Sequence, residues 1–360
     1  VCCVDRTHML RQCVRVVRHS RSSRSFSTTA RAAVYSSFGS PQKSLSVKEF
    51  TYDDPKGSEV LIRMLAAPIN PSDVNMIEGS YPICPETEEK IGGNEGVGII
   101  ESVGSEVTQF TKGDRVLPKR PCFGTWRTYA VEDQSKLRKI SNTIPIELAA
   151  TISVNPCSAF RLLTDFANLS AGDVIVQNGC NSVVGQSIIQ IAHSKGIKTI
   201  NILRDRPDFA ETVEYCKNLG GDIVVTEDYI QTAAFKTLIA DMPRPKLAFN
   251  SVGGRSATDM ARILEKGGTM ITYGGMSRKP VTIPTGLLIF NDIVLKGFWL
   301  SKWTETHSET EQNEMISALT EMIEKGTLKW KIQREKFENI CEILQTNNKS
   351  FSSGKKVLMF

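Results

Sequence analysis

From Ser170 onward the chain alternates short apolar runs with helical stretches, and this alternation restricts the fold more than any other feature. Asp173-Val174-Ile175-Val176, Thr199-Ile200-Asn201-Ile202-Leu203, Ile223-Val224-Val225, Leu247-Ala248-Phe249-Asn250, Thr269-Met270-Ile271-Thr272-Tyr273 and Ile293-Val294-Leu295-Lys296-Gly297-Phe298 read as successive strands. Runs this continuous in Val, Ile and Leu suit strands covered on both faces. Between the first two, Val184, Ile188, Ile189, Ile191 and Ala192 recur at helical spacing until Gly196. Residues 209–219 give the next helix, closed by Gly220-Gly221. Strands joined by helices form a parallel sheet with right-handed crossovers, so the expected class is α/β with a doubly wound sheet.

The part before it is different. Residues 33–155 carry short strand candidates, 60–65, 96–100 and 114–118, punctuated by Gly, Asp and Pro, with little helical periodicity. A compact β-rich unit is expected there. After about residue 300 come helical segments and a short terminal strand, Lys356-Val357-Leu358-Met359, expected to return to the first unit. At 360 residues two domains are the natural division. The expected bounds are 32–155 with 301–360 for the β-rich unit, and 156–300 for the doubly wound one.

Charge separates the first 31 residues from the rest. Seven arginines (Arg6, Arg11, Arg15, Arg18, Arg21, Arg24 and Arg31) against Asp5 give that segment +6, while the whole chain carries +5, so the remaining 329 residues sum to −1. A body near neutrality lacks the basic surface a nucleic-acid binder needs. An Arg- and Ser-rich, acid-poor leader without an apolar core is the composition of a mitochondrial transit peptide, so residues 1–31 are expected to be one, disordered and cleaved near residue 30. No apolar run approaches the ~20 residues of a membrane span. The cysteines beyond the leader (Cys84, Cys122, Cys157, Cys180, Cys216 and Cys341) are scattered, without a CxxC pair or a histidine partner in sequence. Neither a disulfide framework nor a zinc knuckle can be drawn from that spacing, and reduced thiols in a matrix-type compartment are the simplest reading.

The turn after the first parallel strand reads Gly179-Cys180-Asn181-Ser182-Val183-Val184-Gly185. It lies where a dinucleotide pyrophosphate meets a helix N-terminus, though the spacing is a degenerate form of GxGxxG, and a plain structural turn is the alternative. About twenty residues on, the second strand ends in Arg204-Asp205-Arg206. Arginines there pair with the 2′-phosphate of NADPH, whereas Asp205 would hydrogen-bond the ribose of NADH or cap the following helix ahead of Pro207.

Five motifs taken in order, Asn70-Pro71-Ser72-Asp73-Val74-Asn75, Gly92-Gly93-Asn94-Glu95-Gly96-Val97-Gly98, Arg204-Asp205-Arg206, Tyr273-Gly274-Gly275-Met276 and Gly297-Phe298-Trp299-Leu300, resemble the zinc-free enoyl thioester reductases of mitochondria, within the medium-chain dehydrogenase/reductase superfamily. The resemblance runs from about residue 33 to the C-terminus. It implies a GroES-like β-rich catalytic domain beside a Rossmann domain, NADPH as cofactor, a homodimer paired through the edge strand near 293–296, and a matrix location. It further implies that trans-2-enoyl thioesters of acyl carrier protein or coenzyme A are reduced to saturated ones. By the same resemblance Tyr81 is the proton donor, and Asn155, Asn181, Ser182, Val183, Val184, Arg204, Asp205, Arg206, Tyr273, Gly274, Gly275, Met276, Phe298, Trp299, Leu300 and Lys355 contact the cofactor. Val183 departs from the small residue usual at its position and is expected to crowd the phosphates.

Zinc-dependent relatives place a cysteine near Ser72-Asp73, a histidine where Asn94 stands, and a four-cysteine lobe. This chain has none of these, which leaves Glu95 without zinc chemistry, and no metal is expected. Reduction then needs a hydride, a proton source and a dry channel, and a tyrosine hydroxyl, with an unperturbed pKa near ~10, holds its proton at neutral pH. Lys119, Arg120 and Arg127 cluster in sequence as a candidate basic rim for an acidic carrier protein. The competing readings are a zinc-free quinone or alkenal reductase and a protein that binds NADPH without turnover.

Overall fold

The computed structural model describes residues 27–346 and 354–360. The transit-peptide expectation falls mostly outside them. Its last residues do not: strand β1, Thr28–Tyr35, begins inside the stretch assigned to the leader, with Ala30 buried and Arg31 bonded to Glu338 at 2.7 Å.

Among the described residues three sheets build the molecule. In the smallest, β1 lies between β2 (Ser46–Tyr52) and β4 (Lys90–Ile91), antiparallel to both. In the second, β3 (Glu59–Pro68) pairs with β5 (Val97–Val103) and β7 (Tyr129–Asp133), and β6 (Arg115–Pro118) and β8 (Leu137–Ile140) continue from β5. The C-terminal strand β16 (Lys355–Met359) completes that sheet on the other side of β3, with β15 (Ile332–Lys336) beyond it. Thus the end of the chain returns to the β-rich part.

The third sheet is parallel throughout, in the order β11 (Ile223–Thr226), β10 (Lys198–Leu203), β9 (Val174–Asn178), β12 (Leu247–Asn250), β13 (Thr269–Thr272), β14 (Val294–Gly297). The alternation in the sequence is legible because the central strands are covered on both faces: β9 and β12 are buried at every residue, whereas β14 at the edge is exposed along its length. The order reverses between β9 and β12, and such a reversal opens a crevice at the carboxyl ends of the strands. Helix Val183–Ser194 leaves β9 and packs its Ile188 and Ile191 into a core shared with Ile175, Phe249 and Leu319.

Helices also punctuate the β-rich part, contrary to the scarcity read from the sequence. Pro71–Glu78 is one: Asn70 and Asp73 form a reciprocal capping box, with Pro71 at the first helical position. Asn155–Leu162 is another. Both begin at an Asn-Pro pair, and both start beside the crevice.

Candidate active site

The bend after β9 is built on two glycines. Gly179 has φ +63°, and a Cβ there would stand 2.7 Å from Ser251 Oγ. A Cβ on Gly185 would stand 2.5 Å from Cys180 Cα, so only glycine lets the first helical turn rest on the loop. Ser182 caps the helix, its side chain accepting from the Gly185 N–H at 3.1 Å, and the residue is exposed; Asn181 is half-buried, its carbonyl accepting from Gln186 Nε2 at 2.7 Å. Val183 and Val184 are 7% and 8% exposed and belong to the hydrophobic core. The Val183 side chain, expected to crowd the phosphates, is taken up by that core.

At the end of β10, Arg204 and Asp205 are exposed. Arg206 is not equivalent to Arg204. Its guanidinium is clamped by both carboxylate oxygens of Asp208 (Nη2–Oδ2 2.8 Å) and its side chain is 5% exposed. The cap position of the next helix falls to Asp208 rather than Asp205, whose carboxylate instead accepts from the Arg206 N–H at 2.9 Å.

Tyr273 continues from β13, its N–H bonded to the Asn250 carbonyl at 2.9 Å, and Gly274, Gly275 and the 65%-exposed Met276 follow at the crevice. The Tyr273 hydroxyl is buried near Ser251 and Ser182 without hydrogen-bond geometry to either, and burial pushes it up to about 12. An orphaned buried donor beneath an open, glycine-built helix N-terminus is an arrangement that fits a bound dinucleotide.

Across the crevice stands Tyr81, in the loop that follows helix Pro71–Glu78. Its hydroxyl accepts the indole N–H of Trp299 at 2.8 Å, and the two rings meet edge to face with centroids 6.0 Å apart. Half-burial raises the Tyr81 pKa, and the indole N–H of Trp299 offsets part of that rise. With the indole on an oxygen lone pair, the phenolic proton is left to point elsewhere. Phe298 extends the β13–β14 pairing through the Thr272 carbonyl at 3.0 Å and packs edge to face on Phe166, and Leu300 packs on the core at the start of helix Leu300–Thr306.

Sequence reasoning missed a buried polar network behind these groups. Glu95, 1% exposed, accepts from Asn70 Nδ2 at 2.8 Å and from the Val154 N–H at 3.0 Å, and Asn155 Nδ2 approaches it at 3.5 Å. Asn155 also donates to Asn70 Oδ1 at 3.2 Å. Asp73, 2% exposed, accepts from the Asn70 N–H at 2.7 Å and from Asn94 Nδ2 at 2.5 Å, while Asn94 Oδ1 accepts from the Cys122 N–H at 2.8 Å. The Lys355 ammonium closes the network, donating to the Ile69 carbonyl at 2.9 Å and to Asn70 Oδ1. Burial pushes Asp73 up to about 6 and raises Glu95 as well, with Lys355 pulling both back, and the same burial lowers Lys355. Two buried carboxylates and one ammonium thus share one enclosed polar network. The Gly92–Gly98 motif was the available signal. Among the described residues, no group of three His, Cys, Asp or Glu side chains is placed to hold a metal.

The basic rim dissolves on inspection of its members. Arg127 is buried, bonded to Glu132 and the Phe123 carbonyl at 3.0 Å each, with its guanidinium over the Phe123 ring. Lys119 is engaged by Glu309 at 2.9 Å, and Arg120 alone of the three is exposed.

Comparisons with known proteins place the chain among oxidoreductases of known fold. Residues 56–142 match the family model described as alcohol dehydrogenase GroES-like domain, and residues 183–321 the one described as zinc-binding dehydrogenase. The chain is 45% identical over 337 residues to the mitochondrial enoyl-[acyl-carrier-protein] reductase of Dictyostelium discoideum, covering 92% of this chain and 95% of that one. Its structure is similar to that of the Etr1p/NADP/crotonyl-CoA complex, with a TM-score of 0.87 at 33% identity over 92% of this chain and 100% of the other. It is also similar to the Candida tropicalis mitochondrial 2-enoyl thioester reductase Etr1p/Etr2p heterodimer, with a TM-score of 0.86 at 34% identity over 92% and 100%.

Proposed function

This chain belongs to the mitochondrial enoyl-[acyl-carrier-protein] reductase family of the medium-chain dehydrogenase/reductase superfamily, and we propose that it reduces trans-2-enoyl thioesters to saturated acyl thioesters with NADPH. The observation that carries this reading is the Tyr81 hydroxyl, fixed by Trp299 Nε1 at 2.8 Å beside a crevice whose far wall is a glycine-built helix N-terminus. NADPH, when bound, supplies the hydride that adds to the β-carbon of the enoyl thioester.

The chain's own residues do the rest. Gly179, Ser182 and the Tyr273 hydroxyl would hold the phosphates and ribose, Asn181, Val183 and Val184 would offer backbone at the same bend, and Arg204 would pair with the 2′-phosphate beside Asp205 and Arg206. Tyr273 to Met276 and Phe298 to Leu300 would border the nicotinamide, and Asn155, which would contact it, is held in place by Asn70 and Glu95. Lys355 acts from behind them as the cation of that network. Tyr81 holds a proton on its hydroxyl oxygen and delivers it to the α-carbon as charge develops on the thioester oxygen. Phe298 with Phe166 walls the channel against water.

The protein works in the mitochondrion, in the matrix, where acyl carrier protein delivers the substrate and coenzyme A esters serve as well. It is a homodimer through the free edge of the parallel sheet. Val294 and Leu295 of the edge strand β14 are 37% and 45% exposed, and Ile289 and Phe290 on the adjoining helix Thr285–Asn291 are 65% and 74% exposed, an apolar patch of the kind a subunit interface covers.

Oxidation of NADPH, followed with crotonyl-CoA and in parallel with a quinone, tests the reading on protein lacking residues 1–27. Turnover with the thioester alone supports it. Turnover with the quinone alone, or saturable NADPH binding without turnover, overturns it.

A further inference from the structure

Two residues in this chain go against local backbone rules, and a single bond joins them. Glu78 is the last residue of helix Pro71–Glu78, so its carboxylate stands at the negative end of the helix dipole. Arg278 has φ +55°, a left-handed conformation disfavoured for a residue with a long side chain. Arg278 Nη2 donates to Glu78 Oε2 at 2.9 Å, across 200 residues of sequence. Where local choices are both unfavourable and mutually satisfied, the site they join is the place to look for a function.

Each end of the bond is tied to one wall of the crevice. On one side Gly79, also left-handed, caps the helix, and the Ser80 N–H bonds the Asn75 carbonyl at 2.9 Å, so the chain passes from Glu78 to Tyr81 without slack. A Cβ on Gly79 would meet the Phe38 ring at 2.9 Å, which fixes that turn further. On the other side the Met276, Ser277 and Arg278 N–H groups bond the Ser251, Val252 and Gly275 carbonyls at 2.9 Å each, holding Arg278 two residues beyond the cofactor-facing Met276.

We infer that Arg278 and Glu78 form a clasp across the crevice that sets the Tyr81 loop against the cofactor-facing loop. Both are positioning residues. The inference rests on the reductase reading above. An ion pair as exposed as this one contributes little to global stability, so its effect falls on placement, where an error of ~1 Å can cost ~100-fold in rate.

The test compares wild type with Glu78→Arg, Arg278→Glu, the double exchange and Glu78→Gln, using NADPH and crotonyl-CoA at low and high salt, with NADPH titrations and melting curves alongside. Each single reversal is expected to lower kcat/KM for crotonyl-CoA roughly tenfold, and the double exchange to restore most of it. The NADPH dissociation constant and melting temperature stay at wild-type values throughout. Salt lowers the wild-type kcat/KM and leaves that of Glu78→Gln unmoved. Reversals that run at the wild-type rate, a double exchange no better than either single, or losses that follow the melting temperature overturn the clasp. A wild-type protein that does not reduce crotonyl-CoA at all overturns the reductase reading instead.

Discussion

The indole N–H of Trp299 donates to the Tyr81 hydroxyl at 2.8 Å, joining the loop after helix Pro71–Glu78 to the end of β14. That bond occupies an acceptor site on the phenol and leaves its proton for a substrate. Tyr81→Phe therefore lowers kcat by ~100-fold or more while the NADPH dissociation constant stays put, and Trp299→Phe gives a smaller loss of kcat. Steady-state kinetics beside fluorescence titration of NADPH separate the two quantities.

Removing the ammonium of Lys355 leaves Asp73 and Glu95 buried with no cation between them. Both carboxyls are already raised by burial and respond to the loss of that charge by binding protons more tightly, so Lys355→Met lowers the melting temperature of the cofactor-free protein, and the loss grows as pH rises. Adding Glu95→Gln to it recovers part of the loss, a coupling that a double-mutant cycle on melting data measures.

The network also has a pH signature. Asp73 rises to about 6 in the fold from an ordinary carboxylate value of about 4 in the unfolded chain, so the folded state binds the proton more tightly. Its contribution to stability is complete below about pH 4 and is lost as pH climbs through 6. Denaturant unfolding of wild type and Asp73→Asn should show wild type losing ground against the variant across that interval. A constant difference would count against the buried, raised carboxylate.

The fold was legible in the sequence where physics acts locally. Strands β9 and β12 sit between two layers of helices, so they must be apolar at almost every residue, and the glycines at 179 and 185 mark a bend that tolerates no side chain. The polar network was illegible because its members come from segments up to 285 residues apart, and an isolated Asn or Lys carries no sign of its partner. Arg127 misled for a related reason: a charged residue is a surface residue unless a partner such as Glu132 follows it inside. Strand β1 was hidden by Thr and Arg in its first half, which matched the leader's composition.

Gly185→Ala places a methyl group within 2.5 Å of backbone at Cys180, which cannot move without opening the bend. About 1–3 kcal/mol of stability is lost, and NADPH affinity falls by an order of magnitude or more. Thermal melts with and without NADPH read both effects, the ligand-induced shift shrinking in the variant.

At the adenosine end the two arginines differ. Arg204 is exposed, while Arg206 is held by Asp208, so Arg204→Ala weakens NADPH binding roughly tenfold or more and leaves NADH binding unchanged. Arg206→Ala moves the NADPH constant less. Paired titrations with the two nucleotides decide the assignment.

The most direct measurement is mass analysis of the product formed from crotonyl-CoA and NADPH in deuterium oxide. The account predicts butyryl-CoA with a single solvent deuterium, on the α-carbon, and almost none formed by Tyr81→Phe. Solvent deuterium on the β-carbon, or full conversion by the phenylalanine variant, would contradict it.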